Sequence, residues 1–401
     1  MKILYIHALY APYIAGGAEI SLKLLVEGMQ AIGHEVSVLS LVPSKGLGSD
    51  VVDGVKVYRA GLKNNYWPFT KERPGKFRRL RWHFRDRYNR AMTTYVREVL
   101  AAEQPTVVSC HNLVGWSIAV WDEVHRAGIP IVQVLHDMYL LSPNSTLFKQ
   151  GYTHARQDTI SRLLRRRHRW ASARLSAVVG ISRSIMDRFT EYGYFENVPC
   201  YVVHNARDIP AAGPPRHRSS GDGLTVGYIG TISATKGVEW LISQFKAARI
   251  DGQLRIAGKG KAEDMQRVKQ LAGADSRIDF VGYVASADFC KTVDVLVVPS
   301  LWEEPLGMVA VEGLANHLPV VVSNRGGLRE TVVDGENGMH CDPDKPESLG
   351  QALVTLWKEV DVYNRMAAVA RDSVSEYLSV ERMVNEYEHI LGTALADHAG
   401  T

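Results

Sequence analysis

Between positions 293 and 324 the chain reads VDVLVVPSLWEEPLGMVAVEGLANHLPVVVSN. Two short apolar runs, 293–299 and 319–322, bracket a loop and one short helical pattern. Runs of this kind alternate with helical patterns along the whole chain, the rhythm of an α/β fold with parallel sheets. The loop carries Glu303, Glu304 and Pro305, and Glu312 follows Glu304 by eight residues. Eight residues of helix advance roughly 80° beyond two full turns, so the two carboxylates do not share a helical face. Pro305 resolves the geometry. It biases Glu304 away from the helical region and itself suits the first helical position. Glu304 is therefore expected on the loop at a strand's carboxyl end, with Glu312 two turns into the helix. Open α/β sheets bind ligands at that edge. A loop acid beside free N–H groups of residues 306–309 suits a ligand that carries both a sugar and a phosphate.

The stretch PSLWEEPLGMVAVEGLANHLPVV, with its Glu-x7-Glu spacing, resembles the signature of the retaining glycosyltransferases of family 4. The resemblance implies the GT-B fold, two Rossmann-like domains facing a central cleft, with the C-terminal helix crossing back to the N-terminal domain. It implies that Glu304 contacts donor-sugar hydroxyls and Glu312 the nucleotide ribose, with Pro305, Leu306, Gly307 and Met308 also on the donor side.

Other stretches carry parts of the same resemblance. Gly16-Gly17 ends a loop before a helix whose apolar face includes Ile20, Leu24, Leu25 and Gly28. Paired glycines at a helix start allow close backbone approach to a ligand; the stretch is similar to the family's GGAE loop, and the resemblance implies that Gly16 and Gly17 are donor-binding, facing the cleft near the donor phosphate and the acceptor. A strand near 130–135 runs into His136-Asp137, and His136 resembles the family's active-site histidine; a neutral imidazole can donate to a sugar hydroxyl or accept from one. His7 and His111 also end strands and are lesser candidates. In GYIGTISATKG, Lys236 and Gly237 match the family pattern, but Thr231 stands where an arginine is usual. Fixed positive charge helps a diphosphate leave, so one of two usual cations is missing. The turn at Gly282 and Tyr283 resembles the family's base pocket. Gly326 and Gly327 read as mainly structural. Gly258-x-Gly260 is a partial dinucleotide fingerprint with Glu263 at the third glycine position. Asp342-Pro343-Asp344 reads as a turn, so no metal is expected and none is implied by the family; the nucleotide sugar is a substrate and no cofactor is called for.

Net charge is +4, but it is unevenly placed. Residues 71–90 carry a local +7 and residues 156–174 a local +6, leaving −9 for the rest. Phe77, Trp82, Phe84, Tyr88 and Trp170 interleave with these basic residues, which suits an anionic membrane surface or a phosphorylated acceptor. No nucleic-acid module surrounds them, so nucleic acid is not an expected partner. No apolar run approaches a membrane span. The first residues, MKILYIHAL, begin directly as a strand without the pattern of a secretory signal. Four widely spaced cysteines (Cys110, Cys200, Cys290, Cys341) form neither a zinc spacing nor a disulfide framework. The expected location is cytoplasmic, peripheral on the inner face of the membrane.

A chain of 401 residues suits two or three domains. Strands are expected near 2–9, 35–42, 55–59, 106–111, 130–135, 177–181 and 201–204. A Pro-, Gly- and Ser-rich stretch then follows, and strands resume near 224–229, 253–257, 278–283, 294–298 and 319–323. The division is 1–206, an acceptor-side domain; 207–223, a linker; 224–378, a nucleotide-sugar domain; and 379–401, a helix with an apolar stripe at Met383, Tyr387, Ile390, Leu391 and Ala394. The function expected is sugar transfer to a glycan or polyprenyl-linked acceptor in bacterial surface polysaccharide assembly. Two rivals stand beside it. One is a non-catalytic nucleotide-sugar or membrane-binding partner of the same fold. The other is a different GT-B enzyme, such as a nucleotide-sugar epimerase or a glycan phosphorylase.

Overall fold

The computed structural model describes residues 1–70, 74–149, 151–153, 157–210 and 213–400. The chain forms two compact units: Met1–Leu147 with Ala155–Arg207 and Ser379–Thr401, and Phe148–His154 with Asp208–Leu378.

In the first half the strands are β1 (Lys2–Ile6), β2 (Glu35–Val42), β3 (Leu47–Val52), β4 (Val55–Gly61), β5 (Val107–Cys110) and β6 (Ile131–Leu135), then a small hairpin of β7 (Phe148–Lys149) and β8 (Tyr152–Thr153), then β9 (Ala177–Gly180) and β10 (Cys200–Val202). The sheet of the first unit runs β10-β9-β6-β5-β1-β2-β4-β3. All its pairings are parallel except β3 with β4. From β1 the chain builds outward to β2 and then restarts on β1's other side with β5, so the strand order reverses between β1 and β5. β3 is not among the expected strands. It is an edge strand with a largely exposed backbone run (LGSDVV) and lacks the apolar signature of its neighbours.

The second unit holds β11 (Leu224–Ile229), β12 (Gly252–Ala257), β13 (Ile278–Gly282), β14 (Val295–Val298), β15 (Val320–Ser323) and β16 (Gly338–Cys341). Its order is β13-β12-β11-β14-β15-β16, all parallel. This is the doubly wound nucleotide-binding arrangement, with its switch point between β11 and β14. Val226, Ile256, Val297 and Val321 are buried, and the helices Val238–Ala248 and Glu347–Lys358 cover them with Leu241, Phe245, Leu349 and Leu353. Both units are thus Rossmann-like.

Five further helices matter below: α1 (Gly17–Ala31), α2 (Lys76–Asp86), α3 (Thr159–Ala171), α4 (Met308–Ala315) and α5 (Val380–Ala399). The Ser379 side chain caps α5 by accepting from the Arg382 N–H at 3.0 Å, and Met383, Tyr387, Ile390, Leu391 and Ala394 are buried. In the first unit α5 crosses α1 where Gly28 faces Val384. On α1 the buried residues include Leu22, Leu25, Val26 and Met29, while Ile20 is exposed. Of the expected stripe Leu25 is buried and Leu24 and Gly28 are partly buried, so the buried face, through 22, 25, 26 and 29, is turned by about one residue round the helix.

The stretch expected as a linker is largely fixed at both ends. Arg207 is buried and donates to the Gly17 carbonyl and the Ser21 hydroxyl of the first unit. Arg218 is buried against the second unit, donating to the carbonyls of Leu356 and Asp222. Ala211 and Ala212 lie outside the described residues.

Candidate active site

Three loops at the carboxyl ends of β11, β14 and β15 meet at the switch point of the second unit. The loop after β11 ends in a short 3-10 turn, Ala234–Lys236, followed by Gly237 at φ +70. A Cβ at Gly237 would lie 1.8 Å from the Pro299 carbonyl, so only glycine lets this loop close on the end of β14. The Leu301 N–H reaches across to the Thr235 carbonyl at 2.8 Å. From the β15 side, the Gly327 N–H donates to the Glu304 carbonyl at 2.7 Å. Gly326 and Gly327 therefore hold the acid's backbone, a structural role.

This packing sets Lys236 Nζ against Glu304 Oε1 as an ion pair, with the Ser300 hydroxyl donating to the same oxygen at 2.6 Å. The Glu304 side chain is 8% exposed and that of Lys236 31%. Burial by itself pushes the Glu304 carboxyl up, but Lys236 and the hydrogen bonds from Lys236 and Ser300 outweigh it and hold the carboxyl below its ordinary range. The acid is thus a carboxylate at neutral pH. Ser300 is a residue the sequence reading missed; its position four residues before Glu304, at a strand end, is the available signal.

The helix after the loop starts later than expected. Gly307 is its N-cap at φ 89, and α4 begins at Met308. The left-handed turn at Gly307 interrupts the helical path, so Pro305 is a loop residue and not the first helical one. Glu312 is consequently little more than one turn into α4, not two. It is half-buried, and its carbonyl accepts from Asn316. Pro305 and Leu306 are buried, while Gly307 and Met308 are partly accessible.

The neighbouring strand ends are zipped together: Gly230 N–H to Ala257, Ile232 N–H to Lys259 and Gly258 N–H to Gly282, at 3.1, 2.9 and 2.6 Å. Thr231 is exposed, and its carbonyl accepts from the Tyr228 hydroxyl at 2.8 Å. Gly282 has φ +77, and Tyr283 beside it is 74% exposed with Lys259 Nζ 4.6 Å from its ring centroid. The Asp342-Asp344 turn closes on itself, Asp344 N–H to Asp342 at 3.0 Å, and Asp344 pairs with Arg325. Among the described residues no group of three His, Cys, Asp or Glu has metal-site geometry.

In the first unit, the ends of β1, β5 and β6 bring His7, His111 and His136 together. These are neighbouring strands of one sheet, though the residues span 130 positions of sequence. His111 Nδ1 lies 2.8 Å from His136 Nε2 with the rings stacked, and His7 stands edge-on to His136 at 6.1 Å between centroids. Burial, with His7 adding to it, pushes the His136 imidazole down to about 3, and burial lowers His7 and His111 too. All three are neutral at physiological pH. His136 Nδ1 is buried with no hydrogen-bond partner among the described residues. Gly16 and Gly17 open α1 in the same unit, where the Gly16 N–H donates to Glu19 at 2.8 Å. Glu19 is buried and was not singled out from sequence; the Gly-x-x-Glu spacing of a capping box is its signal.

A family model described as Glycosyltransferase Family 4 matches residues 15–209, and one described as Glycosyl transferases group 1 matches residues 223–359. An uncharacterized 42.6 kDa protein in the cps region of Klebsiella pneumoniae is 29% identical over 338 residues, 82% of this chain and 87% of that protein. An uncharacterized glycosyltransferase of Methanocaldococcus jannaschii is 24% identical over 98% of this chain and 99% of its own. Among solved structures, a sucrose-phosphate synthase from Thermosynechococcus elongatus superposes with a TM-score of 0.78 at 18% identity, covering 99% of both chains. Anabaena HepE in complex with UDP and glucose gives 0.73 at 19% identity, covering 98% of this chain and all of its own. The two family matches together take in most of the sequence, one on each unit, and with two Rossmann-like sheets the chain belongs to the family-4 glycosyltransferases of GT-B fold.

Proposed function

We propose that this glycosyltransferase moves a sugar from a nucleoside-diphosphate donor to a hydroxyl of a glycan or polyprenyl-linked acceptor, with retention at the anomeric carbon. The observation that carries the reading is the Lys236–Glu304 pair at the switch point of the second sheet, one cation and one buried carboxylate at the edge where such sheets take nucleotides. In this reading Lys236 and the α4 N-terminus stabilise the departing diphosphate, Glu304 orients the sugar, and Glu312 holds the ribose. The turn at Gly282 and Tyr283 takes the base. Neutral His136 offers its free Nδ1 to a sugar hydroxyl, and Gly16-Gly17 lies by the donor phosphate and the acceptor in this reading. The Klebsiella relative from a cps region supports surface polysaccharide assembly as the setting. HepE complexes with UDP and UDP-glucose make uridine sugars the first donors to try.

Charge grows on the diphosphate mainly as the bond breaks, so Lys236→Ala should lower kcat about 10²-fold or more while weakening donor binding less. The assay is acceptor-dependent release of nucleotide from UDP-, GDP- and ADP-sugars. Nucleotide released without acceptor, or unchanged turnover in the variant, defeats the assignment. Transfer is proposed to need no divalent ion, so activity should survive excess EDTA; loss restored by magnesium or manganese overturns that. Thr231 motivates one alternative, a non-catalytic nucleotide-sugar binder. Donor binding with no turnover on any acceptor would favour it.

A further inference from the structure

The two basic stretches are 66 or more residues apart in sequence, yet in the first unit α2 and α3 line one open cavity of about 1100 Å³. Arg81, Arg85, Arg87, Arg90, Arg166 and Arg167 face it, and among the described residues no carboxylate does. Among the described residues only Arg167 of these six has an acidic partner, Asp122. Several guanidinium groups are held by rings: Arg87 over Phe84 at 4.6 Å, Arg166 over Trp170 at 4.9 Å and Arg167 over Tyr88 at 3.7 Å. Stacking of this kind fixes the plane of an arginine and leaves its edge N–H groups for an anion. Lys71, Arg73 and Arg156 lie outside the described residues.

The rim is apolar. Phe77, Leu80 and Phe84, at helical spacing on α2, are 90%, 57% and 60% exposed. Ile160, Leu163 and Trp170 on α3 are 65–69% exposed. The inward residues of both helices are different ones. Trp82 is buried and donates to the Tyr66 carbonyl, and Arg165 is 2% exposed with its guanidinium over Tyr139. Trp82 and Arg165, both counted with the surface patch in the sequence, are core residues. The exposed large apolar side chains are therefore not loose ends of the core; they stand on the solvent face beside arginines of which, among the described residues, only Arg167 has an acidic partner.

A soluble phosphate compound would satisfy the arginines and leave six apolar side chains in water. A bilayer of anionic lipid matches both features, phosphates at the arginines and the acyl boundary at the exposed apolar side chains. We infer that α2 and α3 form one docking site for an anionic phospholipid surface, with a phosphate headgroup seated in the cavity and Phe84, Leu163 and Trp170 inserted below the headgroups. This goes beyond sugar transfer and does not require it.

The experiment is co-sedimentation of the full chain with phosphatidylcholine vesicles containing 30% phosphatidylglycerol, against phosphatidylcholine alone, at about 50 mM and 500 mM salt. Binding is expected to the first only and to weaken with salt. Arg85→Ser with Arg166→Ser, two exposed arginines without acidic partners, should lower partitioning about 30-fold. Phe84→Ser with Trp170→Ser should lower it about tenfold, and millimolar inorganic pyrophosphate should not displace the wild type. Folding of each variant is read from its thermal shift with UDP, which also keeps a failed docking site distinct from a failed donor site. Wild-type indifference to the anionic vesicles overturns the proposal. So does full binding by the Phe84/Trp170 variant, or displacement by pyrophosphate, either of which marks a soluble-anion site instead.

Discussion

Lys236→Ala should give the second unit's stability a dependence on pH between 7 and 5 that Glu304 does not contribute in the wild type. In the wild type the Glu304 carboxyl lies below its ordinary value of 4.5, held there against burial by Lys236 and Ser300. A depressed carboxyl contributes stability that is complete above the unfolded value and lost as pH falls through the folded one. Between pH 7 and 5 this group's contribution in the wild type is therefore flat. Removing the ammonium leaves a carboxylate with an 8% exposed side chain and one hydroxyl partner at 2.6 Å. Breaking a buried pair from one side costs about 3–5 kcal/mol. Because Lys236 is 31% exposed, the low end applies, about 3 kcal/mol at pH 7. For a unit of this size that is a drop of roughly 6–12 °C in Tm. With the cation gone burial dominates, the carboxyl moves above its unfolded value, and the variant gains stability on acidification toward pH 5. Calorimetry and urea melts followed by tryptophan emission, at steps from pH 7.5 to 5, read both effects. The double variant Lys236→Ala/Glu304→Gln should recover most of the loss and show no slope. Equal midpoints and parallel pH profiles for wild type and Lys236→Ala would refute the claim that Glu304 is a buried charge neutralised by this lysine.

Thr231→Arg should tighten nucleotide-diphosphate binding, since the position is exposed on the loop that ends in Lys236; calorimetric titration with UDP and GDP showing no gain places residue 231 outside the phosphate site. Gly28→Ala gains about 1 kcal/mol of helix propensity, but its Cβ would meet Val384 Cγ2 at 2.3 Å where α1 crosses α5. Overpacking costs about 1–3 kcal/mol, so the variant should be neutral to about 2 kcal/mol less stable, and adding Val384→Ala should relieve the strain in a double-mutant cycle.

Local chemistry made much of this molecule legible before any coordinates. The central strands of both sheets are buried on both faces, so they write themselves as continuous apolar runs, and they were found where those runs lie. The edges were not. β3 and β16 were missed because an edge strand needs no apolar run, and the two-residue hairpin of β7 and β8 is too short to show a period. The apolar run and Pro305 located Glu304 on the loop after a strand, yet the start of α4 depended on a left-handed Gly307, which the sequence did not mark apart from an ordinary helix start.

Contacts between distant segments were decided by the tertiary structure alone. The sequence determined that residues 71–90 and 156–174 are basic and aromatic, but composition is blind to direction. Packing within the first unit turned Trp82 toward Tyr66 and Arg165 toward Tyr139 and left Phe84, Arg85, Arg166 and Trp170 outside. Likewise each histidine of the trio ends its own apolar strand, a local fact. Their meeting within 6.2 Å follows from β1, β5 and β6 being hydrogen-bonded side by side, which is set by how the sheet is wound and not by any residue near them in sequence.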